Sequence, residues 1–179
     1  PKTIRKYIER GIEAPVYAIP GNHDHGGPGS VWAQEFFRRE REALAPNLTI
    51  LAEAEPLVLE SAVLLPCPLA RRLVVGDPTE WLRSAGTYAG LPADRPRIVL
   101  AHGSTQSFAG EVDDEDGGDA PSGTIDLGRL PGAEIDYVAL GDWHGAGQVS
   151  AKAWYSGTPE ADRFPKGEGY DAGNILVVD

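Results

Sequence analysis

The residues of this chain best suited to chemistry stand at the ends of three apolar runs. Val16–Ile19 is followed by Pro20 and Gly21 and then by Asn22, His23, Asp24 and His25. Residues 97–101 run into His102, and Tyr137–Gly141 runs into Asp142, Trp143 and His144. The chain has 4 histidines, and all of them stand in these three places. A lone histidine after a strand most often makes a structural hydrogen bond, and Asn22 and Asp24 taken alone read as a polar turn bonding its own backbone. Three such endings in one chain, with an amide and carboxylates among the imidazoles, form a donor set suited to Mn²⁺, Fe or Zn²⁺. The single cysteine, Cys67, is near none of them in sequence, which argues against a structural zinc knot. The chemistry that remains is that of an open, hydrolytic metal site.

Such a site needs elements that bring distant residues together. In α/β proteins ligands gather at the carboxyl ends of strands. Val16–Ile19, rich in β-branched and aromatic residues, predicts a short buried strand that Pro20-Gly21 ends. "RIVLAHG" (97–103) and "YVALGDWHG" (137–145) predict two more strands with histidine at their ends. Further strands are expected at 48–51, 57–60 and 62–66, the last two joined by a tight turn. Two or three others fill 146–179, including Ile175–Val178.

Helices are expected at 2–10, where Ile4, Tyr7 and Ile8 share a face and Gly11 stops the run, and from a Ser30 cap to about Leu44. The second has Trp32, Phe36 and Phe37 as its buried stripe and Pro46 beyond its end. Shorter helices are expected at 78–85 and near 126–130. No internal repeat or long linker divides the chain, so residues 1–179 read as a single domain.

Composition narrows the function classes. Hydrophobic residues are 41% and charged residues 24%, an ordinary globular balance. The formal charge of −11 disfavours a broad surface for gripping duplex DNA. It does not exclude an enzyme that holds one phosphate through dications. Much of the excess sits in "EVDDEDGGD" (111–119), which reads as a solvated loop and lacks the ligand spacing of a Ca²⁺ loop. No apolar run reaches membrane-span length, and one cysteine suits a reducing, cytoplasmic setting.

The order of "GNHD" (21–24), the strand-terminal His102-Gly103 and "GDWH" (141–144) resembles the calcineurin-like metallophosphoesterase superfamily. "YSGTPE" (155–160) is similar to the segment that follows the last metal motif in its DNA-repair exonuclease branch. The resemblance implies an α/β fold, a four-layer α-β-β-α sandwich, with two divalent metal ions at the edge of its sheets. Mn²⁺ is the expected ion, with Fe, Zn²⁺ or Mg²⁺ as alternatives. Carried over by position, it places Asn22 and His102 on one metal and His144 on the other. His23 would face the scissile phosphoester, with Asp24 orienting its ring.

This chain departs from the family pattern in two ways. Asp142 stands where the last motif usually has histidine, which would harden the site toward Mn²⁺ or Mg²⁺. The family's first two motifs, an Asp-x-His and a Gly-Asp-x-x-Asp, do not precede residues 2–10. The resemblance therefore implies a missing N-terminal β-α-β part, with Pro1 internal to a longer protein. The expected activity is hydrolysis of phosphoesters, with DNA ends or a small phosphodiester as substrate. The alternative is a degenerate, non-catalytic interaction module. A serine hydrolase built on Ser104 beside His102 is a third reading, but no Gly-x-Ser-x-Gly elbow surrounds that serine.

Overall fold

The computed structural model describes residues 14–71, 76–105, 123–159 and 173–179. The helix expected at 2–10, the acidic run 111–119 and the stretch 160–172 lie outside the described residues. The fold is mixed α/β. Strands β1 (Val16–Ala18) and β2 (Leu48–Ile50) form a two-stranded parallel sheet. Helix α1 (Glu35–Leu44) lies between them in the chain. Six further strands make one mixed sheet: β3 (Leu57–Val58), β4 (Val63–Cys67), β5 (Arg97–His102), β6 (Tyr137–Gly141), β7 (Gly147–Ser150) and β8 (Ala153–Tyr155). Their spatial order is β3-β4-β5-β6-β8-β7.

The middle of this sheet is parallel: β4, β5, β6 and β8 all run the same way, while β3 and β7 return antiparallel at the edges. Parallel strands covered on both faces read as continuous apolar runs. β4 is the clearest case, since all five of its residues, Val63–Cys67, are buried. Pro66 is tolerated inside it because β3 pairs only with Val63 and Leu64, so no partner on that side reaches Pro66. Val63, Leu65, Val99, Val138, Leu140 and Tyr155 form the heart of the core. Each side chain of this size withdrawn from water is worth about 1.5–3 kcal/mol.

Short irregular elements brace the sheet. Instead of the helix expected at 78–85, two 3₁₀ turns form, Glu80–Arg83 and Ala85–Tyr88. The Asp77 carboxylate explains why the chain tightens there. It accepts from Thr79 N at 2.9 Å, Thr79 Oγ1 at 2.6 Å and Asp126 N at 3.1 Å, and it pairs with Arg83. The same anchor holds the 3₁₀ turn Leu127–Arg129, found where a helix was expected near 126–130.

Helix α1 departs from its expectation. A 3₁₀ turn, Val31–Ala33, separates Ser30 from the helix, so Ser30 does not cap it and its buried Oγ has no hydrogen-bond partner. No residue of α1 is buried, and Phe36 is 61% exposed. Trp32 and Phe37 pack edge to face, with ring centroids 5.0 Å apart. The expected stripe thus exists as a pattern, with Trp32 and Phe37 half-buried and Phe36 exposed. Ile175–Val178 forms no strand, and Ile175 and Val177 are exposed. Among the described residues no helix is long and apolar enough to cross a membrane.

Candidate metal centre

The registry of two parallel strands sets up the site. His102, the last residue of β5, pairs with Gly141, the last residue of β6. Both strands end at one level, so Gly103-Ser104 and Asp142 leave the sheet side by side. Gly103 N donates to Gly141 O at 3.1 Å, and the buried Tyr155 hydroxyl donates to Gly103 O at 2.7 Å. Burial, reinforced by the Asp142 charge, pushes the Tyr155 hydroxyl up to about 12, so it stays a donor.

The turn after β1 arrives over this edge. Pro20 and Leu69 tie it to the end of β4: Leu69 N donates to Pro20 O at 3.1 Å and Gly26 N donates to Leu69 O at 2.7 Å. Asn22 Oδ1 then lies 3.0 Å from His102 Nε2. Asp142 Oδ1 lies 3.4 Å from the same nitrogen. The two oxygens approach this nitrogen from different elements, one at hydrogen-bond distance and the other at ion-pair distance. Nε2, an amide oxygen and a carboxylate oxygen gathered in this way are donor types that a hard or borderline dication can take.

Two glycines make room for the His102 ring. A Cβ at Gly21 would stand 2.8 Å from His102 Cε1, and one at Gly141 would stand 3.0 Å from Nδ1. The ring is therefore held between two backbones at which a Cβ would press on it. Asp142 has φ 110°, the one non-glycine residue with positive φ among those described. Such a backbone costs roughly 1–3 kcal/mol and persists where the surroundings enforce it. Burial opposes ionisation of Asp142, but the hydrogen bond and charge of His102, the hydrogen bond from Ser104 and the charge of His144 outweigh it. The net effect holds the carboxyl below its ordinary value.

The structure brings Asn22 and Asp142 each against His102, and His144 within electrostatic reach of Asp142. His144 is steadied from the segment after β8, where Thr158 N donates to His144 O at 2.9 Å. Gly157 (φ 71°) lets that segment approach: a Cβ there would meet His144 O at 2.7 Å and Ala146 N at 2.8 Å. His23 is exposed beside Asn22, and Trp143 is 38% exposed beside Asp142.

Asp24 Oδ1 accepts from Gly21 N at 2.7 Å, and its carbonyl accepts from the Trp32 indole, so it locks the turn that carries His23. His25, one of the candidate donors after the first strand, has a buried Nδ1 without a hydrogen-bond partner. Counting only His, Cys, Asp and Glu, no group of three or more that could hold a metal occurs among the described residues; the Asn22 amide is what brings the donor set to three.

Sequence reasoning missed the parts that depend on register. Ser104 Oγ donates to Asp142 Oδ2 at 3.0 Å, across 38 residues of sequence, rather than to His102. That contact removes the arrangement a serine nucleophile needs, in which a histidine nitrogen accepts the hydroxyl proton. Gly21 and Gly141 were visible only as part of motifs, whereas their use is to clear space for one ring. No known family model matches the chain, and no curated protein matches it either.

Proposed function

We propose that this chain is a metal-dependent phosphoesterase domain of the calcineurin-like kind, with the four-layer α-β-β-α sandwich of that class, working on two divalent ions with Mn²⁺ first among them. The observation behind this reading is the meeting of Asn22 Oδ1, His102 Nε2 and Asp142 Oδ1, drawn from three strand ends, at 3.0 and 3.4 Å from one another through the imidazole. These three would hold one ion, and His144 would contribute to the second. What such ions supply when bound is Lewis-acid neutralisation of phosphoryl charge and acidification of water.

The chain's own residues do the remaining work. Gly21 and Gly141 leave the His102 ring the room in which Nε2 faces Asn22 and Asp142. Asp24 closes the turn on Gly21 N and so sets the direction in which His23 leaves it. His23, exposed and adjacent to Asn22, donates a proton to the departing ester oxygen. The net charge of −11 fits a small phosphodiester or a strand end better than a long duplex. The buried Cys67, whose thiol burial pushes up to about 12, takes no part and suits a reducing cytosol.

Turnover of a bis-aryl phosphodiester with added Mn²⁺, by the protein that contains this chain, tests the proposal. His23→Asn should lower the rate by roughly 10²–10⁴ while the metal stays bound. Metal binding without any turnover would favour the non-catalytic module, and loss of metal in His23→Asn would reassign that residue as a ligand.

A further inference from the structure

We propose that Ser104 is a positioning residue that fixes which oxygen Asp142 presents to a divalent cation and thereby selects against Ca²⁺. The inference rests on Asn22, His102 and Asp142 acting as ligands. Ser104 Oγ donates to Asp142 Oδ2 at 3.0 Å, while Oδ1 is the oxygen that faces His102 Nε2 at 3.4 Å. One carboxylate oxygen is thus engaged by a hydroxyl and the other is turned into the site. A carboxylate turns readily about its last torsion, which is broad and nearly two-fold. Without the hydroxyl nothing on the Ser104 side distinguishes its two oxygens.

The tether belongs to the side chain alone. Ser104 O accepts from Ile125 N at 2.8 Å, and Thr105 bridges Ile125, so the backbone is held without Oγ. Asp142 itself keeps φ 110° to stand opposite Ser104, so its backbone is committed to this one placement. A carboxylate held to a single oxygen suits the six-ligand geometry of Mn²⁺ or Mg²⁺. Ca²⁺ takes six to eight oxygens and readily uses both oxygens of one carboxylate. The hydroxyl therefore raises affinity for the smaller ions and withholds the second oxygen from Ca²⁺.

The test is Mn²⁺ binding followed by electron paramagnetic resonance, with Ca²⁺ as competitor, in wild type, Ser104→Ala and Ser104→Thr. Ser104→Ala should raise the Mn²⁺ dissociation constant by about 10–100-fold, the usual loss for an outer hydrogen bond to a ligand. Its Ca²⁺ affinity should hold or rise, so that the Mn²⁺/Ca²⁺ preference narrows. Ser104→Thr should restore both, and metal-free melting temperatures should agree among the three. Unchanged Mn²⁺ binding in Ser104→Ala overturns the role of Ser104 and leaves the site standing. Equal loss of both ions, with a lowered metal-free melting temperature, shows a merely structural hydroxyl and overturns it too. Wild type that binds no Mn²⁺ overturns this inference together with the site itself.

Discussion

All five residues of β4 are buried, whereas none of the ten residues of α1 is. The six-stranded sheet and the β1–β2 unit with its helix meet at one candidate site, yet they are built to different standards of burial. His102 and Asp142 stand on the sheet, where Val99, Ala101, Val138 and Leu140 are nearly or wholly buried beneath them. Asn22 and His23 stand on a turn fed by a three-residue strand whose residues are all half-buried. The difference teaches which half of the site is rigid. The imidazole and carboxylate are placed by strand register, while the amide depends on a few backbone bonds between Pro20, Gly26 and Leu69.

Paired truncations should separate the two regions most sharply. Leu65→Ala removes a side chain that is 0% exposed and should cost about 2–5 kcal/mol. Phe36→Ala, at a position 61% exposed, should stay within about 0.5 kcal/mol. Chemical denaturation of both variants checks the pair, and a comparable loss in Phe36→Ala would show that α1 is packed against something after all.

A smaller effect should come from the segment that braces the sheet side of the site. Gly157→Ala puts a Cβ 2.7 Å from His144 O at φ 71°, and it should destabilise by about 1–3 kcal/mol. Melting with and without Mn²⁺ checks it: His144 must shift, so the metal-dependent gain should shrink as well.

The smallest effect concerns acid. The Asp142 carboxyl is held below its ordinary value of 3.8, chiefly by His102 and Ser104 working against burial. A carboxylate of depressed pKa contributes stability that is complete above its unfolded value and is lost as pH falls through the folded one. Wild type should therefore lose stability relative to Asp142→Asn as pH drops below about 3.8. Denaturation of both proteins across that range reads the effect, and parallel curves throughout would contradict it.

The two regions also differed in how far they could be read from sequence. "RIVLAHG" and "YVALGDWHG" announced β5 and β6 because parallel core strands are uniformly apolar and stop abruptly at polar residues. Their shared endings were enough to single out His102 and Asp142 as neighbours of Asn22. Helix α1 was legible as a helix, but its Trp32, Phe36 and Phe37 pattern says only that an apolar face exists, not that anything covers it. The two 3₁₀ turns at 80–88 were hidden because the Asp77 carboxylate that tightens them draws partners from residues 79, 83 and 126. Ser104 was hidden for the same kind of reason. Its hydrogen bond to Asp142 exists only because His102 and Gly141 are in register.

The central claim is that Asn22, His102 and Asp142 act together on one divalent ion. Mn²⁺ titration of the wild type and of Asn22→Ala, His102→Ala and Asp142→Ala, read by electron paramagnetic resonance, tests it most directly. The wild type should take up Mn²⁺, and each substitution alone should weaken that uptake, with metal-free folding retained. A wild type that leaves Mn²⁺ free in solution, or three variants that bind it as the wild type does, would contradict it.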